Sequence, residues 1–266
     1  MLGLSPAIQF FIVTVLGCCL GSFLCVCIER LPKNLSVVFP GSHCHHCGKT
    51  IPWYLNIPVF SWLFLRGKSK CCQKSIPVFY FLNEVCVGIM ANLFYFHSQK
   101  FFIPYFTLFC FLWVAFFIDL KLLIIPDEIS LLGLVLGILM GYFFPGLQGE
   151  SEAFYGLLES LKSACIGMGG LFLFISIAEF FLKKEAMGLG DVKLMGCIGA
   201  FLGGEACIFS LFFGAILGTV VVLSDHIFRK FYLKQKVTLK NKMIPFGPFL
   251  AVATVIYMFF PQLMLK

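Results

Sequence analysis

The chain has 266 residues, of which 60% are hydrophobic and only 12% charged, with 34 phenylalanines. A soluble domain of this length could not hide that much apolar surface, so the composition excludes an ordinary water-soluble fold and makes the bilayer the solvent. The net charge of +7 is unevenly spread and does not imply nucleic acid. Residues 29–75 carry Arg30, Lys33, Lys49, Arg66, Lys68, Lys70 and Lys74 against the single acid Glu29. Residues 226–243 carry Arg229, Lys230, Lys234, Lys236, Lys240 and Lys242 and no acid. Basic loops stay on the cytoplasmic side, and the apolar spans beside them make lipid headgroups their expected partner.

Apolar runs near the ~20-residue bilayer requirement give the expected spans in chain order. The first covers 7–28. It has no Lys or Arg before it and no small-residue cleavage site, so it reads as an uncleaved membrane helix. The basic, cysteine-containing loop 29–76 follows. The second span covers 77–96 and the third 102–118, separated by His97-Ser98-Gln99-Lys100. The fourth runs from Pro126 to about Pro145, bounded by prolines at its first turn and beyond its end. The polar, acidic stretch Gly146–Glu159 is expected outside, and the fifth span, 162–182, stops at Lys183-Lys184. The run 191–224 is too long for one crossing, and Gly203-Gly204-Glu205 divides it into a sixth and a seventh. The eighth covers 246–262. The expected fold is an all-α polytopic membrane protein of about eight transmembrane helices, with segments 1–28, 29–76 and 77–266. Eight crossings place both termini outside and every basic loop inside.

Only four aspartates occur in the chain, and two of them end apolar spans. Asp119 closes the third span, and Asp191 opens the sixth after Gly188-Leu189-Gly190. An ionisable group at a membrane boundary is costly to keep and is a functional candidate. Crossing counts put both on the cytoplasmic face, where two carboxylates sharing a proton could activate water, as in aspartyl proteases. Helix dipoles favour the anion on Asp191, at a helix start, and leave Asp119, at a helix end, to carry the proton. Asp127, behind Pro126, is expected to cap its helix. Lys193 is expected to reach for headgroups. Glu84, about two turns inside the second span, requires a polar partner or a cavity.

Thirteen cysteines would suggest disulfides in a secreted chain, but most lie inside spans, where cysteine acts as a small apolar residue. Four lie in the basic loop, on the reducing side, where metal binding outranks disulfide formation. Cys44-His45-His46-Cys47 offers a two-ligand turn, and Cys71 with Cys72 completes four thiolates for a tetrahedral zinc, with the histidines extending the choice. Free thiols in a compact loop are the alternative. Ser69 stands where a second Cys-x-x-Cys would begin.

With these residues in view, nearly the whole chain resembles the type IV prepilin leader peptidase and N-methyltransferase family. The resemblance runs through Gly21-Ser22-Phe23-Leu24, Arg30-Leu31-Pro32, the Cys44/Cys47 turn, Ile57-Pro58-Val59-Phe60-Ser61-Trp62 and Arg66-Gly67. It continues through Ile118-Asp119, Ile125-Pro126-Asp127, the ten residues Glu185–Leu194, and Pro245-Phe246-Gly247-Pro248. It implies an inner-membrane enzyme that cleaves the basic leader of prepilins or pseudopilins at the cytoplasmic face, and methylates the new N-terminus from S-adenosylmethionine. Asp119 and Asp191 match the family's catalytic aspartates, and the cytoplasmic loop matches the region associated with methyl transfer and zinc. Cys25, where asparagine is usual, and Ser69 depart from the pattern; they bear on zinc and methylation and leave proteolysis untouched. No Gly-rich nucleotide fold marks an S-adenosylmethionine site. Rival readings are a Gly-x-Gly-Asp peptidase without methyl transfer, a proton-coupled transporter, and a metal-sensing scaffold built on the cysteine loop.

Overall fold

The computed structural model describes residues 4–183, 187–231 and 245–261. Lys184, Glu185 and Ala186, the basic residues Lys234, Lys236, Lys240 and Lys242, and the last residue of the expected eighth span lie outside them. Among the described residues every regular element is a helix, with no extended strand. Packing divides it into a unit ending at Phe102 and a unit beginning at Ile103. The segments drawn at 28 and 76 follow the bilayer and the charge instead of this packing boundary.

The first unit contains α1 (Pro6–Arg30), the short α2 (Phe60–Phe64) and α3 (Val78–His97). Glycines let α1 and α3 approach closely. A Cβ at Gly17 would lie 2.8 Å from Ala91 Cβ and from Gly88 Cα, and one at Gly21 would lie 2.9 Å from Glu84 Cα. In lipid no hydrophobic gain separates helices from tails, so close packing and interhelical hydrogen bonds do the joining. Asn83 donates to the Gly21 carbonyl at 2.7 Å, Asn92 to Thr14 Oγ1 at 2.8 Å and Tyr95 to Gln9 Oε1 at 3.2 Å. Each such bond is worth about 0.6 kcal/mol on average, so the ladder aligns the helices more than it stabilises them.

The second unit contains α4 (Phe102–Leu122), α5 (Asp127–Phe143), α6 (Ala153–Leu182), α7 (Leu189–Leu202), α8 (Gly204–Phe231) and α9 (Gly247–Phe259). α7 is its centre, packed by α5, α6, α8 and α9 and buried almost continuously from Asp191 to Leu202. Glycines again set the spacing: a Cβ at Gly199 would meet the Ser163 carbonyl at 2.4 Å. Gly203, at φ +89°, ends α7 and lets α8 begin at once, where the sequence places the break.

Among the described residues a helix stands in the place of each expected span, with α2 apart. Five of them, α1, α3, α4, α6 and α8, are long and apolar enough to cross a membrane. α5, α7 and α9 have 17, 14 and 13 residues. At 1.5 Å per residue, α7 is roughly 21 Å long against a hydrocarbon core of about 30 Å, so among the described residues five helices are long enough to span and the full count of eight is not reached. α6 differs in the other direction. It begins at Ala153, nine residues before the expected start at 162, because the mostly apolar residues 153–161, with Phe154, Leu157, Leu158 and Leu161, continue the helix, and Glu159 pairs with Lys162 at 3.0 Å.

Candidate active site and cysteine cluster

Asp119 stands in the last turn of α4. Leu123 ends the helix in the left-handed conformation, φ +58°, its N–H donating to the Asp119 carbonyl at 2.9 Å. The chain then passes Ile125 and Pro126 before α5 begins. Asp191 is the third residue of α7, entered from Gly188. The two carboxyl groups are buried, 6% and 8% exposed, and close enough for their charges to interact.

Glycines make this approach possible. A Cβ at Gly190 would lie 3.0 Å from Ile125 Cβ, and one at Gly247 would lie 3.2 Å from Ile125 Cδ1 and 2.9 Å from Asp119 Oδ2. Ile125 therefore sits between the start of α7 and the start of α9. The Gly247 N–H donates to Asp119 Oδ2 at 2.9 Å, whereas Asp191 Oδ1 is buried with no hydrogen-bond partner. A backbone donor thus goes to the aspartate that helix dipoles disfavour as an anion. Sequence reasoning quoted Gly247 within a motif without giving it a role. Its one signal was a glycine ahead of a proline at a helix start.

The neighbouring polar residues depart from expectation. The N-cap positions of α5 and α7 are held by Pro126 and Gly188, and Asp127 and Asp191 stand inside the first turns. Asp127 instead pairs with Lys193 at 2.5 Å, joining the first turn of α5 to the first turns of α7. The partner of Lys193 is therefore a carboxylate, where a headgroup is expected. In the first unit, Glu84 Oε2 accepts the Val59 N–H at 2.7 Å, with the Ser22 hydroxyl also on its carboxyl group.

The cysteine loop is built from two matching turns. In the first, Cys44 N–H donates to Lys49 O at 2.8 Å, Gly48 N–H to Cys44 O at 2.9 Å and Ile51 N–H to Ser42 O at 2.8 Å. In the second, Ser69 N–H donates to Lys74 O at 2.8 Å, Gln73 N–H to Ser69 O at 2.9 Å and Ile76 N–H to Gly67 O at 2.7 Å. Bridges between His43 and Thr50 and between Lys68 and Ser75 flank them, and Gly48 and Gln73 both take positive φ. Ser69 therefore occupies the place of Cys44, Cys72 that of Cys47, and Cys71 that of His46.

The sulfurs of Cys44, Cys47, Cys71 and Cys72 all lie within 4.8 Å of one another, with Cys44 and Cys72 3.8 Å apart and Cys47 and Cys71 3.2 Å apart. A tetrahedral zinc with Zn–S bonds of about 2.3 Å sets its sulfurs about 3.8 Å apart, so the donor set fits that ion. Backbone N–H groups of His46 and Cys47 pull the Cys44 thiol down to about 6, towards the thiolate a metal requires. The Ser69 hydroxyl, 3.0 Å from Cys72 Sγ, lowers Cys72 in the same sense. Cys71, surrounded by Cys47 and Cys44, is pushed up to about 12. His45 stands outside the cluster: its Nε2 lies 3.3 Å from Glu29 Oε2 and 2.9 Å from the Tyr80 hydroxyl, which itself donates to Glu29.

Helices fit to cross a membrane, a buried carboxylate pair and a four-thiol cluster describe a class of multi-helix membrane protein with two chemically equipped parts. Comparison with known proteins gives the family. Residues 15–98 match the bacterial peptidase A24 N-terminal domain, and residues 106–223 match the type IV leader peptidase family. A relative from Pectobacterium carotovorum subsp. carotovorum, described as a prepilin leader peptidase/N-methyltransferase, is 34% identical over 95% of this chain and 93% of its own length. Relatives of the same description from Myxococcus xanthus and Dichelobacter nodosus are 35% and 33% identical, over 78% and 86% of this chain and 60% and 74% of their own. No solved structure matches significantly. The chain belongs to the type IV leader peptidase family.

Proposed function

We propose that this protein is a membrane-embedded aspartyl endopeptidase that removes the leader of prepilins or pseudopilins and methylates the new N-terminal residue. The observation that carries the reading is the pair of buried, mutually interacting carboxylates Asp119 and Asp191, inside the segment that matches the peptidase family. The relatives' printed description supplies the substrate and the second activity.

In this reading the two carboxyls share one proton, which belongs to the pair and not to either residue. The ionised carboxylate takes a proton from water as the water oxygen attacks the scissile carbonyl carbon. The protonated partner gives its proton to the carbonyl oxygen. Collapse of the tetrahedral intermediate breaks the C–N bond, and the leaving nitrogen takes up a proton from the pair. Gly188 leaves open space beside the backbone that leads to Asp191, where a Cβ would meet nothing nearer than 3.9 Å, so an extended substrate can approach.

The basic loops support a reading in which this chemistry faces the cytoplasm at the inner membrane, against anionic headgroups, with both termini outside. Cys44, Cys47, Cys71 and Cys72 would hold a structural zinc, which closes a loop too short for its own core. S-adenosylmethionine, when bound, would supply the methyl group for the product's N-terminal nitrogen. A peptidase without methyl transfer is the second reading, favoured by Ser69 in the place of Cys44's counterpart.

The test is cleavage of a prepilin in liposomes by the unmodified protein, Asp119→Asn and Asp191→Asn, with methylation read on the product by mass spectrometry. Loss of cleavage in both folded variants is expected. Full cleavage by either variant removes that aspartate from the mechanism, and cleavage by the unmodified protein without methylation leaves the second reading.

A further inference from the structure

Glu84 is a buried carboxylate that the peptidase chemistry leaves unused. Its Oε2 holds the N–H of Val59, whose backbone sits at φ +65° and ψ −55°. Phe60 N–H reaches back to the Pro58 carbonyl at 2.6 Å, which makes residues 58–60 a γ-turn of the rare, strained hand. Positive φ at a β-branched residue is an outlier, and such strain persists only where the surroundings over-determine it. Here the determinant is a buried carboxyl oxygen aimed at the strained residue's own N–H.

The turn directs the chain into α2, and each following contact leads to the cysteine cluster. Trp62 stacks on Phe81 with ring centroids 4.8 Å apart, and its indole N–H donates to the Ile76 carbonyl at 3.4 Å. Gly67 lies beneath that ring so closely that a Cβ would meet it at 2.8 Å. Gly67 and Ile76 are the two ends of the second cysteine turn, joined by the Ile76 N–H at 2.7 Å, and within that turn lie Cys71 and Cys72. The path from Glu84 through Val59, Trp62 and Gly67 to Cys71 is unbroken.

We propose that Glu84 is a positioning residue for methyl transfer, holding Val59 in its left-handed turn and thereby setting the segment Phe60–Ile76 that presents Cys71 and Cys72, while leader cleavage proceeds without it. This rests on the reading that the chain methylates its product through the unit ending at Phe102. Gln at position 84 keeps an oxygen for the Val59 N–H; Ala does not. Gly at position 59 adopts positive φ without steric cost, so it removes the need for the acceptor.

The experiment uses the full chain in liposomes with a prepilin substrate, following cleavage and methylation of the same product by mass spectrometry. Glu84→Ala is expected to lower the methylation rate by roughly tenfold to a hundredfold, the scale of a displacement of about 1 Å, with cleavage within about twofold of the unmodified protein. Glu84→Gln should keep most of the methylation, and Val59→Gly added to Glu84→Ala should recover most of what was lost. Unchanged methylation in Glu84→Ala, parallel loss of both activities, or no recovery in the double variant would each overturn the inference. An unmodified protein that cleaves but never methylates sinks the underlying reading and this inference together, and it shows before any variant is compared.

Discussion

Gly247 N–H donates to Asp119 Oδ2 at 2.9 Å, and that same oxygen lies 2.9 Å from where a Gly247 side chain would begin. Residues 128 apart in sequence thus share one space, and the donor can come this close only because it has no Cβ. Gly247→Ala must displace either the carboxylate or the start of α9. A misplacement of about 1 Å can cost about a hundredfold in rate, so we expect cleavage by Gly247→Ala to fall by one to two orders of magnitude with the protein still folded. Steady-state kinetics on a prepilin checks this, and a variant as fast as the unmodified protein would show that the contact has no part in the reaction.

The shared-proton pair sets a pH dependence. Below its lower macroscopic step both carboxyls are protonated and no base remains; above its upper step both are ionised and no acid remains. The rate of cleavage should therefore rise and then fall with pH along two limbs. A profile with a single limb over the range where the protein stays folded would argue against one proton shared by Asp119 and Asp191.

Asp127 and Lys193 tie the first turn of α5 to the first turns of α7 at 2.5 Å, with the Asp127 side chain 60% exposed and that of Lys193 30%. An exposed pair of this kind contributes about 0 to 1 kcal/mol. Asp127→Asn and Lys193→Gln should each lower thermal stability only slightly. Their double variant should lose little more than either alone, since the same pair is removed each time. A double-mutant cycle by thermal unfolding in detergent measures it, and additive losses would mean that the residues act separately.

Correspondence of the two cysteine turns makes Ser69 the position equivalent to Cys44. Ser69→Cys should place a thiolate at that position and tighten zinc retention against a chelator. Cys71→Ser alone should weaken it. In the Ser69→Cys background the same Cys71→Ser change should have little effect, because the four turn positions are then complete. Equal weakening by Cys71→Ser in both backgrounds would show that Cys71 is the ligand whatever stands at position 69.

Hydropathy and charge, read along the chain, were enough to find the membrane-spanning helices among the described residues, the break at Gly203, the two aspartates at helix ends and the four loop cysteines. These are local properties: a span needs only a run of apolar residues, and a scarce acid at its end stands out without a partner being known. Helix length was less legible. α7 need not cross the bilayer unaided because neighbouring helices bury it, and hydropathy does not distinguish burial in protein from burial in lipid.

Contacts between distant segments belonged to the tertiary structure alone. The donor on Asp119 comes from Gly247, the partner of Lys193 is Asp127, and the partner of Glu84 is the backbone N–H of Val59. Glu84's depth in its span announced that a partner existed, but a backbone amide carries no side-chain signature by which to name it. The likeness of the two cysteine turns was hidden for a related reason. It is written in hydrogen bonds and positive φ, which Gly48 and Gln73 share although their side chains do not. Composition and order determined which groups this membrane protein carries, whereas packing, which brings together residues whose spacing along the chain is unrelated to their distance in space, decided which of them meet.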